Sequence, residues 1–355
     1  MDSHLCQPLV KDILAWFSQK ARKLPWRVIG QNHPNPYHVW LSEIMLQQTT
    51  VATVQPFFKA FIERWPTLQE LAKASEDDLL SQWQGLGYYS RARNLHKAAC
   101  VLCETFGGVF PRTLNELESL PGVGPYTAAA IGAIAFNMNT VPVDGNIARV
   151  FSRLMCLETP LPELLTEVRQ KAQCLVDQSG HHGDLAQALM DLGARICTPK
   201  NPACGVCPVQ DKCRAFAAGK PDFFPRKKSR LVKPTKYTVA FYVEDESGAI
   251  WLQKRPGSGL LASMMEVPSS PWSLDLSKEM SLNEFPQISL LNPWEKCPGN
   301  VKHTFTHFHL IVTILKARAS KLASIPSGGW YAPADIPNLA LPTLMKKIMS
   351  HALKK

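Results

Sequence analysis

Four cysteines crowd into the segment CTPKNPACGVCPVQDKC (197–213) of this 355-residue chain. Six, two and five residues separate the consecutive members of the group, which are Cys197, Cys204, Cys207 and Cys213. Thiolates grouped this closely in one loop are typical metal ligands. When all four bind one metal centre, the loop has to wrap around that centre. Zinc and a four-iron cluster both accept four cysteines, so the spacing leaves the two open.

The remaining cysteines are scattered along the chain, at Cys6, Cys100, Cys103, Cys156, Cys174 and Cys297. The N-terminus MDSHLCQPLVKD lacks the charged-then-apolar pattern of a signal peptide. The longest nearly apolar run, TAAAIGAIAF (127–136), is far shorter than the roughly 20 residues that span a bilayer. We therefore expect a cytoplasmic protein with no membrane association, and thiols rather than disulfides.

The chain is basic, with 39 Lys plus Arg against 29 Asp plus Glu and a net charge of +10. Such an excess favours a polyanionic partner, most often nucleic acid. Composition alone also allows a basic protein that has no such partner.

The hydrophobic pattern changes along the chain and predicts two domains. Apolar residues recur at helical spacing in KDILAWFSQKARKL, VWLSEIMLQQTTVATVQPFFKAFIERW and LQELAKASEDDLLSQWQ. Segments such as YTVAFYVE, AIWLQKR, THFHLIVTILKA and GGWYAP are instead strand-like, and LPTLMKKIMSHALKK closes the chain as a helix. We predict an all-α domain (1–218), a basic linker (219–236) rich in proline, and an α+β domain (237–355).

A glycine-containing turn separates two helical segments in LESLPGVGPYTAAAIGAIAF (117–136). Gly122 and Gly124 allow a tight turn, and the amides that open the next helix near Tyr126 then point outward with the positive end of its dipole behind them. A helix–hairpin–helix of this kind binds a DNA phosphate without reading sequence. The alternative is a plain αα-hairpin with no ligand.

Two acids stand in unusual positions. Glu43 lies among the apolar residues of VWLSEIML, where burial raises the pKa of a carboxyl group and makes it a general acid. The alternative is a glutamate on a thin solvated stripe of the helix. Asp144 opens a helix in PVDGNIARV, where it is either an N-cap or a carboxylate that meets a transient positive charge.

These pieces occur in one order: Glu helix, hairpin, Asp turn and four-cysteine loop. That order resembles the helix–hairpin–helix superfamily of DNA glycosylases, and within it the MutY family of adenine DNA glycosylases. The matching motifs cover nearly the whole chain and are LPWR, SEIMLQQT, GLGYYSRARNL, LPGVGPYTAAAI, VDGNIARV, QALMDLGARICT, the cysteine loop, GLLASMMEVP and HTFTHFHL.

The resemblance implies two helical subdomains that enclose DNA and an extruded base, followed by a C-terminal Nudix (MutT-like) domain. It implies a [4Fe–4S] cluster on the four cysteines. The substrate implied is double-stranded DNA in which adenine is mispaired with 8-oxoguanine, or with guanine, and the reaction is hydrolysis of the adenine N-glycosidic bond. We expect a monomer.

The resemblance also implies catalytic roles. Glu43 protonates adenine at N7, Asp144 faces the positive charge of the sugar, and Tyr126 and Asn146 support the two acids. Bifunctional relatives carry a lysine where this chain has Tyr126, and a tyrosine cannot form their Schiff base. We therefore expect a monofunctional enzyme that leaves an abasic site.

Further positions match residues that bind adenine, the DNA stack or the lesion. Trp26, Arg27 and Gln187 match the adenine pocket, Gln48 and Tyr88 match wedge residues, Thr49 and Leu86 lie beside 8-oxoguanine, and Phe305, Thr306 and His307 match a lesion-sensing loop. That loop usually reads Phe-Ser-His, so Thr306 departs from the pattern. The Nudix motif R-E-x-x-E-E is missing after GLLASMMEVP, so we expect lesion recognition rather than nucleotide hydrolysis.

Two rival interpretations remain open on sequence. An endonuclease III-like enzyme would remove oxidised pyrimidines, but Tyr126 and the second domain argue against it. A non-catalytic iron–sulfur DNA-binding protein would not need both Glu43 and Asp144.

Overall fold

A computed structural model gives the fold of the chain in two compact units, Met1–Ser229 and Arg230–Lys355. The division falls inside the predicted linker, of which 227–231 lie outside the described residues. The structure describes residues 3–28, 34–226, 232–257, 259–262, 264–275, 290–320, 328–339 and 341–353.

The first unit is helical throughout its described residues, as predicted. Its helices are α1 (Ser3–Lys20), α2 (Pro36–Leu46), α3 (Val51–Arg64), α4 (Leu68–Lys73), α5 (Glu76–Gln82), α6 (Ser90–Thr105), α7 (Leu114–Ser119), α8 (Pro125–Phe136), α9 (Gly145–Met155), α10 (Glu163–Asp177), α11 (His182–Arg195) and α12 (Arg214–Ala217). In the described part of the chain, no helix is both long and apolar enough to span a bilayer.

Two hydrophobic cores build this unit. The first is formed mainly by α2 to α8 and includes the fully buried Trp40 and Trp83. The second is formed mainly by α1 and α9 to α11 and includes Phe17 and Phe151. Helix α8 packs against both α2 and α11, so residues of the two cores meet along it.

The apolar run 39–65, predicted as continuously helical, is broken between α2 and α3. Gln48 adopts a left-handed conformation at φ 56°, and Thr50 caps α3 by accepting a hydrogen bond from the Thr53 amide. The apolar spacing continues on both sides of this four-residue break, which is why periodicity alone does not show it.

The predicted helix–hairpin–helix is confirmed between α7 and α8. Gly122 has φ +78°, and a Cβ there would lie 2.8 Å from Cβ of Asn94, so the turn requires glycine. Gly124 is the extended N-cap of α8 at φ −101° and has open space around it. Of the two glycines, only Gly122 therefore needs the left-handed region.

The expectation that all scattered cysteines are thiols is wrong for one pair. Cys6 of α1 and Cys174 of α10 form a disulfide, with their Cα atoms 6.1 Å apart. These helices pack together in the second core and bring the two sulfurs into contact, although 168 residues separate them in sequence.

The second unit is α+β, as predicted. Its strands are β1 (Thr235–Glu244), β2 (Ile250–Lys254), β3 (Met265–Glu266), β4 (Glu295–Lys296), β5 (Val301–Thr304), β6 (His309–Arg318) and β7 (Gly328–Tyr331). They form one sheet in the order β3-β2-β1-β6-β4, with β5 also paired to β6 and β7 to β2. Strands β1 and β6 are parallel and the other pairs antiparallel, and α13 (Thr343–Ala352) packs its apolar face on the sheet.

Candidate active site

The burial predicted for Glu43 is confirmed. The residue lies in α2 between Ser42 and Ile44 and is only 7% exposed. Burial raises the pKa of its carboxyl group, a hydrogen bond from Tyr126 and the charge of Arg27 lower it, and the charge of Asp144 raises it, with a net pKa of about 7. Because so high a pKa keeps a large fraction of the group protonated at neutral pH, Glu43 is suited to donate a proton.

Tyr126 lies in the first turn of α8 and is hydrogen-bonded to Glu43. Burial and the two neighbouring carboxyl groups raise its pKa well above the usual value, so its hydroxyl stays protonated and acts as a donor. The hairpin that opens α8 therefore places a neutral donor against the candidate acid.

Asp144 is the N-cap of α9, so the capping role considered for it is confirmed. Its Oδ1 accepts hydrogen bonds from the amides of Asn146 at 2.9 Å and Ile147 at 2.8 Å. Its Oδ2 accepts one from the Asn146 side-chain amide at 2.8 Å. Three donors fix this carboxylate, and its charge contributes to the raised pKa of Glu43.

Asn146 is itself held in place from two sides. Arg149 Nη2 donates to Asn146 Oδ1 at 2.8 Å, and Arg149 Nε donates to the carbonyl of Cys197 at 2.7 Å. Gly193 of α11 lets the helices approach closely, because a Cβ at Gly193 would lie 2.9 Å from Cβ of Asn146. The carboxylate of Asp144 is thus connected through hydrogen bonds to the start of the cysteine loop.

A pocket of about 390 Å³ brings Glu43 together with all three residues assigned to the adenine pocket, Trp26, Arg27 and Gln187. Other residues that line it include Arg22, Ser42 and Met190, which the sequence analysis did not single out.

Asp191 orients two arginines of this pocket and was also missed. Its side chain is fully buried in α11 and accepts hydrogen bonds from Arg27 at 2.8 and 3.1 Å and from Arg22 at 2.7 and 3.1 Å. These bonds lower the pKa of Asp191 although burial alone would raise it. The sequence does carry a signal for Asp191, because it is an acid within the apolar run QALMDLGA, as Glu43 is within VWLSEIML.

The predicted wedge residues lie on two neighbouring turns. Gln48 is exposed between α2 and α3, and Tyr88 is 58% exposed just before α6. Leu86 is buried and Thr49 is half-buried. Arg91 of α6 donates hydrogen bonds to both turns, to Thr49 Oγ1 at 3.2 Å and to the Leu86 carbonyl at 2.8 Å.

The four cysteines of the loop line one pocket of about 430 Å³, whose other walls are largely apolar. They surround this space rather than converge, and no group of three His, Cys, Asp or Glu among the described residues is close enough to hold one ion. Arg153 adds a positive charge, with Nη1 at 3.3 Å from Cys197 Sγ. Four thiol donors around an apolar pocket fit the donor set of an iron–sulfur cluster.

The predicted lesion-sensing residues connect β5 to β6 in the second unit. Phe305 is half-buried and stacks on Trp272 with ring centroids 5.4 Å apart. Thr306 and His307 are exposed at the tip of the turn. The packed ring of Phe305 thus supports a turn on which the Thr306 hydroxyl and the His307 imidazole face solvent.

Three family models match the chain. The HhH-GPD superfamily of base excision DNA repair proteins matches residues 41–174, the iron–sulfur binding domain of endonuclease III matches 197–213, and the NUDIX domain matches 239–351. A solved structure of a thermostable thymine-DNA glycosylase is 26% identical and has a TM-score of 0.50, covering 61% of this chain and all of that one. Fold and site together define a helix–hairpin–helix DNA repair glycosylase that carries a [4Fe–4S] cluster.

Full-length relatives define the family further. The adenine DNA glycosylase of Homo sapiens is 36% identical over 95% of this chain and 72% of its own length. That of Buchnera aphidicola subsp. Baizongia pistaciae is 32% identical over 96% of both chains. The chain belongs to the adenine DNA glycosylase family, and it is a hydrolase that acts on N-glycosyl bonds.

Proposed function

We propose that this enzyme, acting as a monomer on double-stranded DNA, hydrolyses the N-glycosidic bond of adenine mispaired with 8-oxoguanine or guanine and leaves an abasic site. One observation carries the proposal. A buried Glu43 with a pKa of about 7 lines the same pocket as Trp26, Arg27 and Gln187, and the Asp144 carboxyl on another helix is close enough for its charge to raise that pKa.

Glu43 is the general acid. Adenine leaves poorly as an anion, and protonation at N7 by the neutral carboxyl group lets it leave as a neutral base. The hydroxyl of Tyr126 donates to the carboxylate that forms, and so stabilises it after the proton has moved. Trp26, Arg27 and Gln187 line the pocket that holds the extruded base.

Asp144 stabilises the sugar. When the bond from C1′ to the base breaks, the sugar becomes oxocarbenium-like and positive, as in glycoside hydrolysis. The three hydrogen bonds to Asp144 hold its charge in place before the reaction begins, so little reorganisation is needed. The oxygen of water then adds to C1′, its proton passes to solvent, and solvent returns a proton to the Glu43 carboxylate, which completes the hydrolysis.

Cys197, Cys204, Cys207 and Cys213 hold the cluster, which cross-links the loop that packs on α9. We assign no chemical step to it. Gly122 and the amides at the start of α8 bind a DNA phosphate next to the site.

Incubation with a duplex containing one 8-oxoguanine:adenine mispair tests this proposal. Strand cleavage at the adenine should follow only after treatment with alkali, and borohydride should trap no covalent complex because Tyr126 offers no amine. Cleavage without alkali together with a trapped complex would support the endonuclease III-like alternative. An intact adenine strand at saturating enzyme would contradict glycosylase activity on this mispair.

Thr306→Ala should reduce the preference for adenine opposite 8-oxoguanine over adenine opposite guanine by about tenfold, which corresponds to one lost hydrogen bond. Thr343→Ala, which removes the same hydroxyl from an exposed position at the start of α13, is the matched control. Single-turnover rates on the two duplexes give the ratio. An unchanged ratio for Thr306→Ala would exclude lesion sensing by this hydroxyl.

A further inference from the structure

Arg91, at the start of α6, is a buried arginine whose bonds go almost entirely to backbone. It is 8% exposed, and no ion pair to it occurs in the described part of the chain. Its acceptors are the carbonyls of Ile44 (2.9 Å), Met45 (2.9 Å), Leu86 (2.8 Å) and Gly87 (3.1 Å), and Thr49 Oγ1 (3.2 Å). Burial lowers the pKa of Arg91 to about 10, so the guanidinium stays charged at neutral pH.

These acceptors belong to two segments that are far apart in sequence and meet at the edge of the first core. One is the end of α2 and the turn after it, and the other is the turn 85–88. Each segment contains a residue in the left-handed region, Gln48 at φ 56° and Tyr88 at φ 48°. Left-handed residues other than glycine persist only where the surroundings enforce them, and they cluster at ligand clamps.

The side chains on this tightly held backbone point into solvent. Gln48 and Tyr88 are both exposed, and the Tyr88 ring contacts the Arg91 guanidinium at 5.7 Å. The guanidinium also lies 5.2 Å from the ring centroid of Trp83 in the first core, and Trp83 Nε1 donates to the Gly87 carbonyl at 3.0 Å. Exposed side chains on a rigid base are what insertion into a base stack requires.

We propose that Arg91 is a positioning residue that clamps the two wedge turns together and sets the spacing of Gln48 and Tyr88 for base extrusion. Because it also binds the carbonyls of Ile44 and Met45, directly after Glu43, it fixes the wedge relative to the general acid. Lysine cannot replace it, since its donors lie on one nitrogen and cannot reach acceptors on both segments. The proposal rests on the wedge roles proposed above for Gln48 and Tyr88.

The test measures extrusion apart from hydrolysis. The full chain carries Glu43→Gln to block chemistry, and the duplex carries 2-aminopurine in place of adenine opposite 8-oxoguanine, so that its fluorescence rises when the base leaves the stack. Adding Arg91→Lys should slow extrusion by about 100-fold, as expected for a mispositioned group. The affinity of the Arg91→Lys variant for an undamaged duplex should stay unchanged. A partly unfolded protein would bind this duplex more weakly, so the affinity shows that the variant is folded.

Arg93→Lys is the matched control, because Arg93 lies in the same helix and pairs with the exposed Glu76. It should not slow extrusion. Tyr88→Ala tests the wedge role of Tyr88 separately from the clamp role of Arg91. If Tyr88→Ala slows extrusion and Arg91→Lys does not, the clamp is overturned while the wedge stands. If neither slows it, the wedge assignment fails, and the clamp fails with it.

Hydrogen exchange in the unmutated protein gives a second readout that does not depend on a variant folding. The amides of Thr49 and Leu86 donate to Leu46 and Trp83, both at 3.1 Å, within the clamped turns. They should be protected as strongly as the interior of α2. Exchange at the rate of an unrestrained surface turn would overturn the clamp.

Discussion

We expect Glu43→Gln to lower the rate of adenine release by at least about 1,000-fold, which is within the range for loss of a general acid. Glutamine has nearly the same shape, so the helix and the pocket persist, but it has no proton to give to N7. The pKa of about 7 adds a pH dependence. The reactive form is the neutral acid, so the wild-type rate is highest below pH 7 and falls about tenfold for each unit above it.

Single-turnover rates between pH 5 and 9 measure this effect. The affinity for a mispaired duplex should stay unchanged, because the substitution alters neither the wedge turns nor the hairpin. Glu63→Gln, in an exposed position of α3, is the control and should keep the wild-type rate. A Glu43→Gln enzyme with normal turnover, or a wild-type rate that is flat across pH 7, would refute the role of Glu43.

Asp144→Asn lowers the rate by about 1,000-fold while keeping the two backbone capping bonds to α9, so that of the three hydrogen bonds to Asp144 only the one from Asn146 Nδ2 is lost. Asparagine caps a helix as well as aspartate does, and it can still accept hydrogen bonds from the amides of Asn146 and Ile147. It has no charge to set against the oxocarbenium-like sugar. The substitution therefore separates the two roles that Asp144 combines.

Thermal unfolding and single-turnover kinetics of the same sample decide between these roles. Asp144→Ala is the comparison variant and should lose both the rate and about 1 kcal/mol of helix-capping stability. An active Asp144→Asn protein would mean that Asp144 only caps α9.

The features that follow from residues adjacent in sequence are the ones that the sequence predicts best. The burial of Glu43 follows from the apolar residues on both sides of it, and the hairpin follows from the Pro-Gly-Val-Gly turn between two helical runs. The strands of the second unit follow from their β-branched and aromatic residues.

Features that depend on distant partners were missed. Asp191 becomes a pocket residue because Arg22 and Arg27, more than 160 positions earlier, reach it. The Cys6–Cys174 disulfide likewise exists because two helices pack together. Arg91 lies three residues after Tyr88, yet two of its acceptors, the carbonyls of Ile44 and Met45, lie more than 40 residues away at the end of α2.

A structure of the enzyme bound to a duplex with a 2′-fluoro-adenine nucleotide, which resists hydrolysis, opposite 8-oxoguanine would show where the two acids lie relative to the reacting atoms. We predict a Glu43 oxygen within about 3.2 Å of adenine N7. We also predict a carboxylate oxygen of Asp144 at roughly 3.5 Å from C1′, on the opposite face of the sugar from the base. A complex in which the extruded adenine fills the pocket while both acids point away, each beyond about 6 Å from these atoms, would contradict the account.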